Sequence, residues 1–173
     1  LTNNYDYSFK KENLKNLKKY QEFNLIGMGG SILGAQAIYD FLNHKIKKKF
    51  FFFSNLQNIK VSKSNKKKLN IIISKSGNTI ETISNLNLIL SKQKKNKNLI
   101  ITENKRNILK VIANKIKSEV INHKNYIGGR YSVLSEVGMV PAELMGLNEK
   151  KFKRLNYLIK SRSFIDFLIS NVS

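Results

Sequence analysis

Five short apolar runs alternate along the chain with longer stretches of helical periodicity, and this alternation limits the fold more than any other feature. Residues 23–26, 50–53, 69–73 and 98–101 read as buried strands, and 119–121 as a weaker fifth. Residues 31–42, the segment bearing Ile80, Ile83, Leu86 and Leu90, and residues 108–116 read as the helices between and after them. Residues 9–20, with Leu14 and Leu17 among lysines, predict a surface helix. From Tyr131 onward the chain reads as helical, broken near Gly138–Pro141 and Gly146. Strands that alternate with helices form βαβ units, and near-continuous Ile and Phe runs mark strands covered on both faces. The fold class expected is α/β: a doubly wound three-layer α/β/α sandwich around a five-stranded parallel sheet.

A length of 173 residues with 41% apolar content suits one domain with a substantial core. No repeat and no linker rich in Gly, Ser or Pro divides it. The chain has no cysteine, which removes disulfide and thiolate chemistry and fits a reducing compartment. No apolar stretch approaches the roughly 18 residues of a membrane span. With no secretory signal pattern at its start, the expected location is the cytoplasm.

The formal charge of +21 would ordinarily point to nucleic acid or an anionic surface. The excess is almost all Lys, however, alongside abundant Asn and Ile, and it reads as compositional bias. The runs at 45–49, 63–68 and 92–97 each precede a strand. In a parallel α/β sheet those positions lie on the edge opposite the ligand crevice, where cations suit the helix C-termini. A solvated lysine face is therefore expected, and nucleic acid is disfavoured as a partner. Phe50 to Phe53 reads as core and does not supply the interleaved aromatics of a single-strand binder.

Three polar stretches follow apolar runs: GMGGSILG from Gly27, SKSGNTIET from Ser74, and GGRYS from Gly128. The first two lie where a strand hands over to a helix, and unpaired N–H groups at a helix N-terminus favour an anion. Gly29 and Gly30 let a ligand approach the backbone beside Ser31, which is expected to open the first helix of the sheet. Ser74, Ser76, Thr79 and Thr82 can surround one anion, with the charge of Lys75 nearby. In the blander alternative Ser74 and Ser76 merely make a turn; in either case Asn78 and Glu81 are expected to form a capping box at the helix start. Arg130 follows two glycines on the same sheet edge and can bind a phosphate or steady a developing oxyanion; the alternative is a surface arginine.

A dinucleotide fingerprint would need Gly at Ile32 and an acid ending the second strand, where Phe53, Ser54 and Asn55 stand. A Walker loop would need Lys and Ser or Thr at Ala35 and Gln36. Neither NAD nor ATP is supported. His44 is expected in solvent, and His123 precedes the arginine loop, where a lone histidine is more often structural. The scattered acids offer no metal-ligand spacing and no evident general base.

GMGGSILG, SNLQ, SKSGNTIET and above all GGRYSVLSEVGMVPAELMG resemble the sugar-isomerase (SIS) fold, specifically the phosphoglucose isomerase family. The likeness runs from about Phe23 to Gly146. The serine–threonine loop is shared by many SIS proteins, whereas the Gly-Arg-aromatic-Ser run with its downstream Gly and Pro is much more specific. The resemblance implies that Ser74, Ser76, Thr79 and Thr82 bind a sugar phosphate, with Lys75 alongside. Gly30 and Ser31 would contact it from the first loop and Gly129 from the third. Arg130 would be the catalytic group that stabilises an enediolate as glucose 6-phosphate and fructose 6-phosphate interconvert. No metal or organic cofactor is implied, and family members are homodimers.

The chain departs from the family pattern at Gly77 and Asn78, where a Thr-rich centre is usual, and at Leu56 and Gln57, where an acid usually follows the Ser-Asn pair. The family's catalytic glutamate, histidine and lysine come from segments after the signature, and nothing beyond Gly146 resembles them. Residues 1–173 are accordingly expected to form one SIS domain, with a motif-bearing core at 23–146 and a helical segment at 147–173. This would be the first half of an isomerase, inactive by itself. The alternative is a non-catalytic SIS module that binds sugar phosphates for regulation.

Overall fold

The structure, a computed structural model, describes residues 5–56, 67–93 and 96–171. Gln57, Lys63, Lys66, Lys94 and Lys95 lie outside the described residues. The order is α1 (Lys11–Leu14), β1 (Glu22–Ile26), α2 (Leu33–Phe41), β2 (Lys49–Phe53), β3 (Leu69–Ile73), α3 (Ile80–Lys92), β4 (Lys97–Glu103), α4 (Ile108–Lys115), β5 (Glu119–His123), α5 (Glu136–Met145), α6 (Glu149–Lys153) and α7 (Arg162–Ser170). All strand pairs are parallel, in the order β2-β1-β3-β4-β5. This is the flavodoxin-like doubly wound arrangement, and it changes direction between β1 and β3. The α/β expectation is met.

Alternate strand residues supply two cores, as the period of two demands. On one face Phe23, Leu25, Leu69, Ile71, Leu99 and Ile101 pack with α2, α5 and the N-terminal segment; on the other, Ile26, Ile72 and Ile100 meet Leu86, Ile89 and Leu109 of α3 and α4. The apolar strands β1, β3 and β4 are central. β2 lies at an edge, so only Phe50 of its phenylalanines is fully buried, stacked on Phe23 at 4.5 Å. The fully buried second strand expected from FFFF is thus corrected by its edge position.

The second face also carries a polar rung. Asn24, Asn70 and Asn98 are partners in register and all buried. Asn24 donates to Asn70 at 2.8 Å, Asn70 to Asn98 at 2.8 Å, and Asn24 also to Gln93 at 3.2 Å. Each buried amide is thereby satisfied by its neighbour, as burial requires.

Several boundaries differ from expectation. The N-terminal helix is one short turn, Lys11–Leu14, followed by a 3₁₀ turn, Lys15–Leu17, although Leu14 and Leu17 are buried as their spacing predicts. Ser31 does not open α2: Gly29–Ser31 form a 3₁₀ turn and the helix begins at Leu33. α5 runs unbroken through Gly138 and Pro141. Gly138 is needed for close packing, since a β-carbon there would lie 1.9 Å from the carbonyl oxygen of Val133. Pro141 is tolerated inside a helix that the core surrounds on every side. Gly146 does end it, with φ +92° and a bond from Leu147 N–H to Ala142 O across it.

Lys49, Lys68 and Lys97, from the three lysine runs, lie at the N-terminal ends of β2, β3 and β4, but not all of the described lysines are solvated. Lys68 is buried, with Nζ 3.3 Å from Glu22 and 4.3 Å from the Phe51 ring centroid. Lys48 is half-buried, donates to Lys18 O at 2.7 Å, and has its ammonium pKa pushed down by burial and by Lys18. His44 is exposed, as expected. Among the described residues no helix is long and apolar enough to cross a membrane.

Candidate functional site

The three glycine-bearing loops converge at the C-terminal edge of β1 and β3, where a doubly wound sheet opens its crevice. After β1 the chain turns at Gly27, whose N–H bonds Phe53 O at 3.2 Å. Gly29 adopts φ +53°, a left-handed conformation that a side chain would strain. Gly30 then meets the third loop backbone to backbone: a β-carbon on it would sit 2.1 Å from Gly129 O. Ser132 Oγ donates to Gly129 O at 2.6 Å and to Gly30 O at 3.3 Å, fastening the two loops.

The second loop is a hydroxyl cluster at the N-terminus of α3. Ser74 Oγ lies 2.9 Å from Thr79 Oγ1 and accepts from Gly77 N–H at 3.1 Å. Ser76 Oγ lies 3.5 Å from Thr79 Oγ1 and accepts from Asn78 N–H at 3.2 Å. Thr79 occupies the N-cap position, yet its side chain makes no capping bond. The first amides of α3 therefore keep their positive character beside three hydroxyls, an arrangement suited to a phosphate. Thr82 lies lower; it is fully buried, and its hydroxyl has no hydrogen-bond partner among the described residues.

The capping box expected of Asn78 and Glu81 is not formed. Asn78 Oδ1 instead accepts from Ile108 N–H at 3.0 Å, so it serves the N-terminus of α4 and leaves that of α3 open. Gly77 O accepts from Leu109 N–H at 3.0 Å in the same place. Gly77 itself has φ +68°, and a β-carbon on it would meet the Asn107 side chain at 2.2 Å. The Gly-Asn centre of this loop is thus fitted to α4.

Asn107 was not singled out from sequence. It is buried, accepts from Lys110 N–H at 2.9 Å as the N-cap of α4, and donates to Thr102 Oγ1 at 3.1 Å. An Asn immediately before the apolar periodicity of Ile108 is the available signal. Glu103 was also missed. It ends β4, is buried, and pairs with Lys105 at 2.6 Å and Lys75 at 3.4 Å. The Lys105 contact, against the opposing effect of burial, keeps its carboxyl below the usual range.

Lys75 stands apart from the hydroxyls it follows in sequence: its ammonium donates to Asn125 O at 2.7 Å and pairs with Glu103. Arg130 lies in the 3₁₀ turn Gly129–Tyr131 and is exposed, with no ion pair among the described residues. The Arg130 loop and the first loop are in direct contact, whereas the hydroxyl cluster reaches that loop through Lys75.

His123 is buried and belongs to a different cluster. Its Nδ1 is 3.8 Å from Glu136 Oε2, and Glu136 accepts from Tyr5 Oη and Ser8 N–H, each at 2.9 Å. Burial by itself would raise the Glu136 carboxyl, but His123, the Ser8 amide and Tyr5 outweigh it and hold it low. The Tyr5 and Ser8 contacts tie the N-terminal segment to α5, whereas neither ring nitrogen of His123 has a hydrogen-bond partner among the described residues.

A sequence-family model described as phosphoglucose isomerase matches residues 10–166. The chain is 33% identical to glucose-6-phosphate isomerase of Borreliella burgdorferi (strain ZS7), over 95% of this chain and 37% of that protein. It is also 33% identical to glucose-6-phosphate isomerase of Methanocaldococcus jannaschii, over 84% of this chain and 38% of that protein. Its fold is similar to the crystal structure of tagatose-6-phosphate ketose/aldose isomerase from Escherichia coli, with a TM-score of 0.66 and 16% identity, covering 86% of this chain and 44% of that one. The chain thus spans less than half the length of each of these proteins.

Proposed function

Because this chain belongs to the phosphoglucose isomerase family, we propose that it supplies the sugar-phosphate-binding SIS domain for the interconversion of glucose 6-phosphate and fructose 6-phosphate. What supports this reading is the convergence of an uncapped, hydroxyl-rich helix N-terminus with an arginine loop packed on the Gly30 backbone. The phosphate sits on the amides opening α3 and on Ser74, Ser76 and Thr79, with Thr82 beneath. Ser31 and the Gly30 and Gly129 backbones border the sugar. Arg130 faces the reacting carbons and stabilises the enediolate oxygen that develops as a proton moves between C2 and C1.

That proton transfer needs a general base with a pKa near working pH. The buried carboxylates Glu103, Glu136 and Glu143 are all held below the ordinary range, so they are poor bases at neutral pH. We assign the base to a group outside this set. Residues 1–173 form one SIS domain in this reading, which works in the cytoplasm and as a homodimer; sedimentation of the purified chain tests the last point.

The central test is calorimetric titration with fructose 6-phosphate, against inorganic phosphate at matched ionic strength. Saturable binding tighter than that of phosphate, weakened in Arg130→Ala, is the expected outcome. Affinity no better than phosphate, and fading with salt, would assign the binding to the lysines and overturn the proposal.

A further inference from the structure

Lys75 leaves the hydroxyl loop in the direction of β4 and β5. Its carbonyl accepts from Glu103 N–H at 3.1 Å and from Thr102 Oγ1 at 3.3 Å. Its ammonium reaches Asn125 O at 2.7 Å and Glu103 Oε1 at 3.4 Å, and Glu103 is itself buried and fixed from its other side by Lys105. Asn125 belongs to the connection that leads from β5 to Arg130. Within that connection Ile127 N–H bonds Lys124 O, Ile127 is buried, and Tyr131 N–H bonds Gly128 O. Its far end is fixed by Ser132 and Gly30.

We propose that Lys75 is a positioning residue whose ammonium clamps the Asn125 carbonyl, thereby setting the Arg130 loop against the hydroxyl cradle, and that it is not itself a phosphate ligand. The proposal deepens the sugar-phosphate reading and rests on it for the role of Arg130. The chemistry favours the arrangement: an ammonium has three donors, and here a neutral carbonyl and a carboxylate both engage it. Moving it to a phosphate would break a charge-assisted bond and leave Glu103 with Lys105 alone.

Two arms test it. The first uses the chain without ligand: in Lys75→Met, hydrogen exchange at the Ile127 and Tyr131 amides should quicken about tenfold or more, because the loop loses a bond to a charged group. The Gly77 amide should change far less, and Lys75→Arg, which keeps a cationic donor, should restore protection. Unchanged exchange at Ile127 and Tyr131 overturns the clamp, whether or not any sugar phosphate binds.

The second arm compares ligands. Lys75→Met should leave the affinity for inorganic phosphate within about twofold while weakening fructose 6-phosphate by about tenfold, because only the latter uses Arg130. Equal weakening of both would make Lys75 a phosphate ligand and overturn the proposal. Should Lys75→Met fail to fold, the Lys75 ammonium resonance of the unsubstituted chain decides. It should stay in place as phosphate is added, and a shift as large as those of the α3 amides would refute the assignment. Failure of the unsubstituted chain to bind fructose 6-phosphate would count against the sugar-phosphate reading and leave the exchange arm to judge the clamp.

Discussion

A β-carbon on Gly30 would sit 2.1 Å from the carbonyl oxygen of Gly129 and 2.9 Å from the amide nitrogen of Arg130. The obstacle is backbone, which cannot swing aside as a side chain can. Gly30→Ala should therefore push the Arg130 loop off the first loop, at a cost of about 1–3 kcal/mol. Denaturant unfolding reads that loss, and sugar-phosphate titration should show reduced affinity in protein that remains folded. A variant of unchanged stability and affinity would mean that the two loops are not tightly joined.

Gly77→Ala tests the fit of the hydroxyl loop to α4. A left-handed φ costs a non-glycine residue roughly 1–2 kcal/mol, and the new methyl group would also displace Asn107, the α4 cap. Losing such a cap costs about 1 kcal/mol. The expected sum of about 2–3 kcal/mol should appear in the denaturation midpoint.

Ser74→Ala combined with Thr79→Ala should weaken inorganic phosphate by about tenfold or more, since hydrogen bonds to a charged group are worth about 1.5–3 kcal/mol. The fold should survive, because both hydroxyls bond mainly within the loop. Undiminished affinity would confine these side chains to turn-making.

Acid should loosen the junction between the N-terminal segment and α5. Glu143 is buried and contacts Lys18 at 2.9 Å and Lys11 at 3.2 Å. Burial alone would raise its carboxyl, but Glu149 and the two lysines pull it from 4.5 to about 2. A pKa lower in the folded than in the unfolded state stabilises the fold above the unfolded value and loses that contribution as pH falls towards the folded one. Glu103 and Glu136 shift in the same direction. The melting temperature should thus hold near neutrality and fall between about pH 4.5 and 2, with a shallower fall in Glu143→Gln.

Elements whose information is local were legible in the sequence. Buried β1, β3 and β4 announce themselves as apolar runs, Gly146 marks a helix end, and the three loops stand out because each follows a strand. Features decided by contact between distant segments were not. Asn78 lies next to α3 in sequence, and only the fold brings Ile108 N–H within its reach. Pro141 reads as a break until the surrounding core is known. Lys75 follows Ser74 and so looks like part of its cradle, but its direction depends on Asn125, fifty residues along. The site's parts could be named in advance, whereas the bonds that hold them at fixed spacing could not.

The asparagine rung bears on that spacing. It crosses β1, β3 and β4 near the lysine-rich end of the sheet, and the loops spring from the other end. From Asn24 the chain climbs to Gly27, and from Asn70 to Ser74, at about 3.3 Å per residue. The rung is thus a datum line from which each strand measures out the height of its loop. A residue inserted above it in a single strand would lift that loop by one such step and leave its neighbours level, dismantling the site while every residue in it is unchanged.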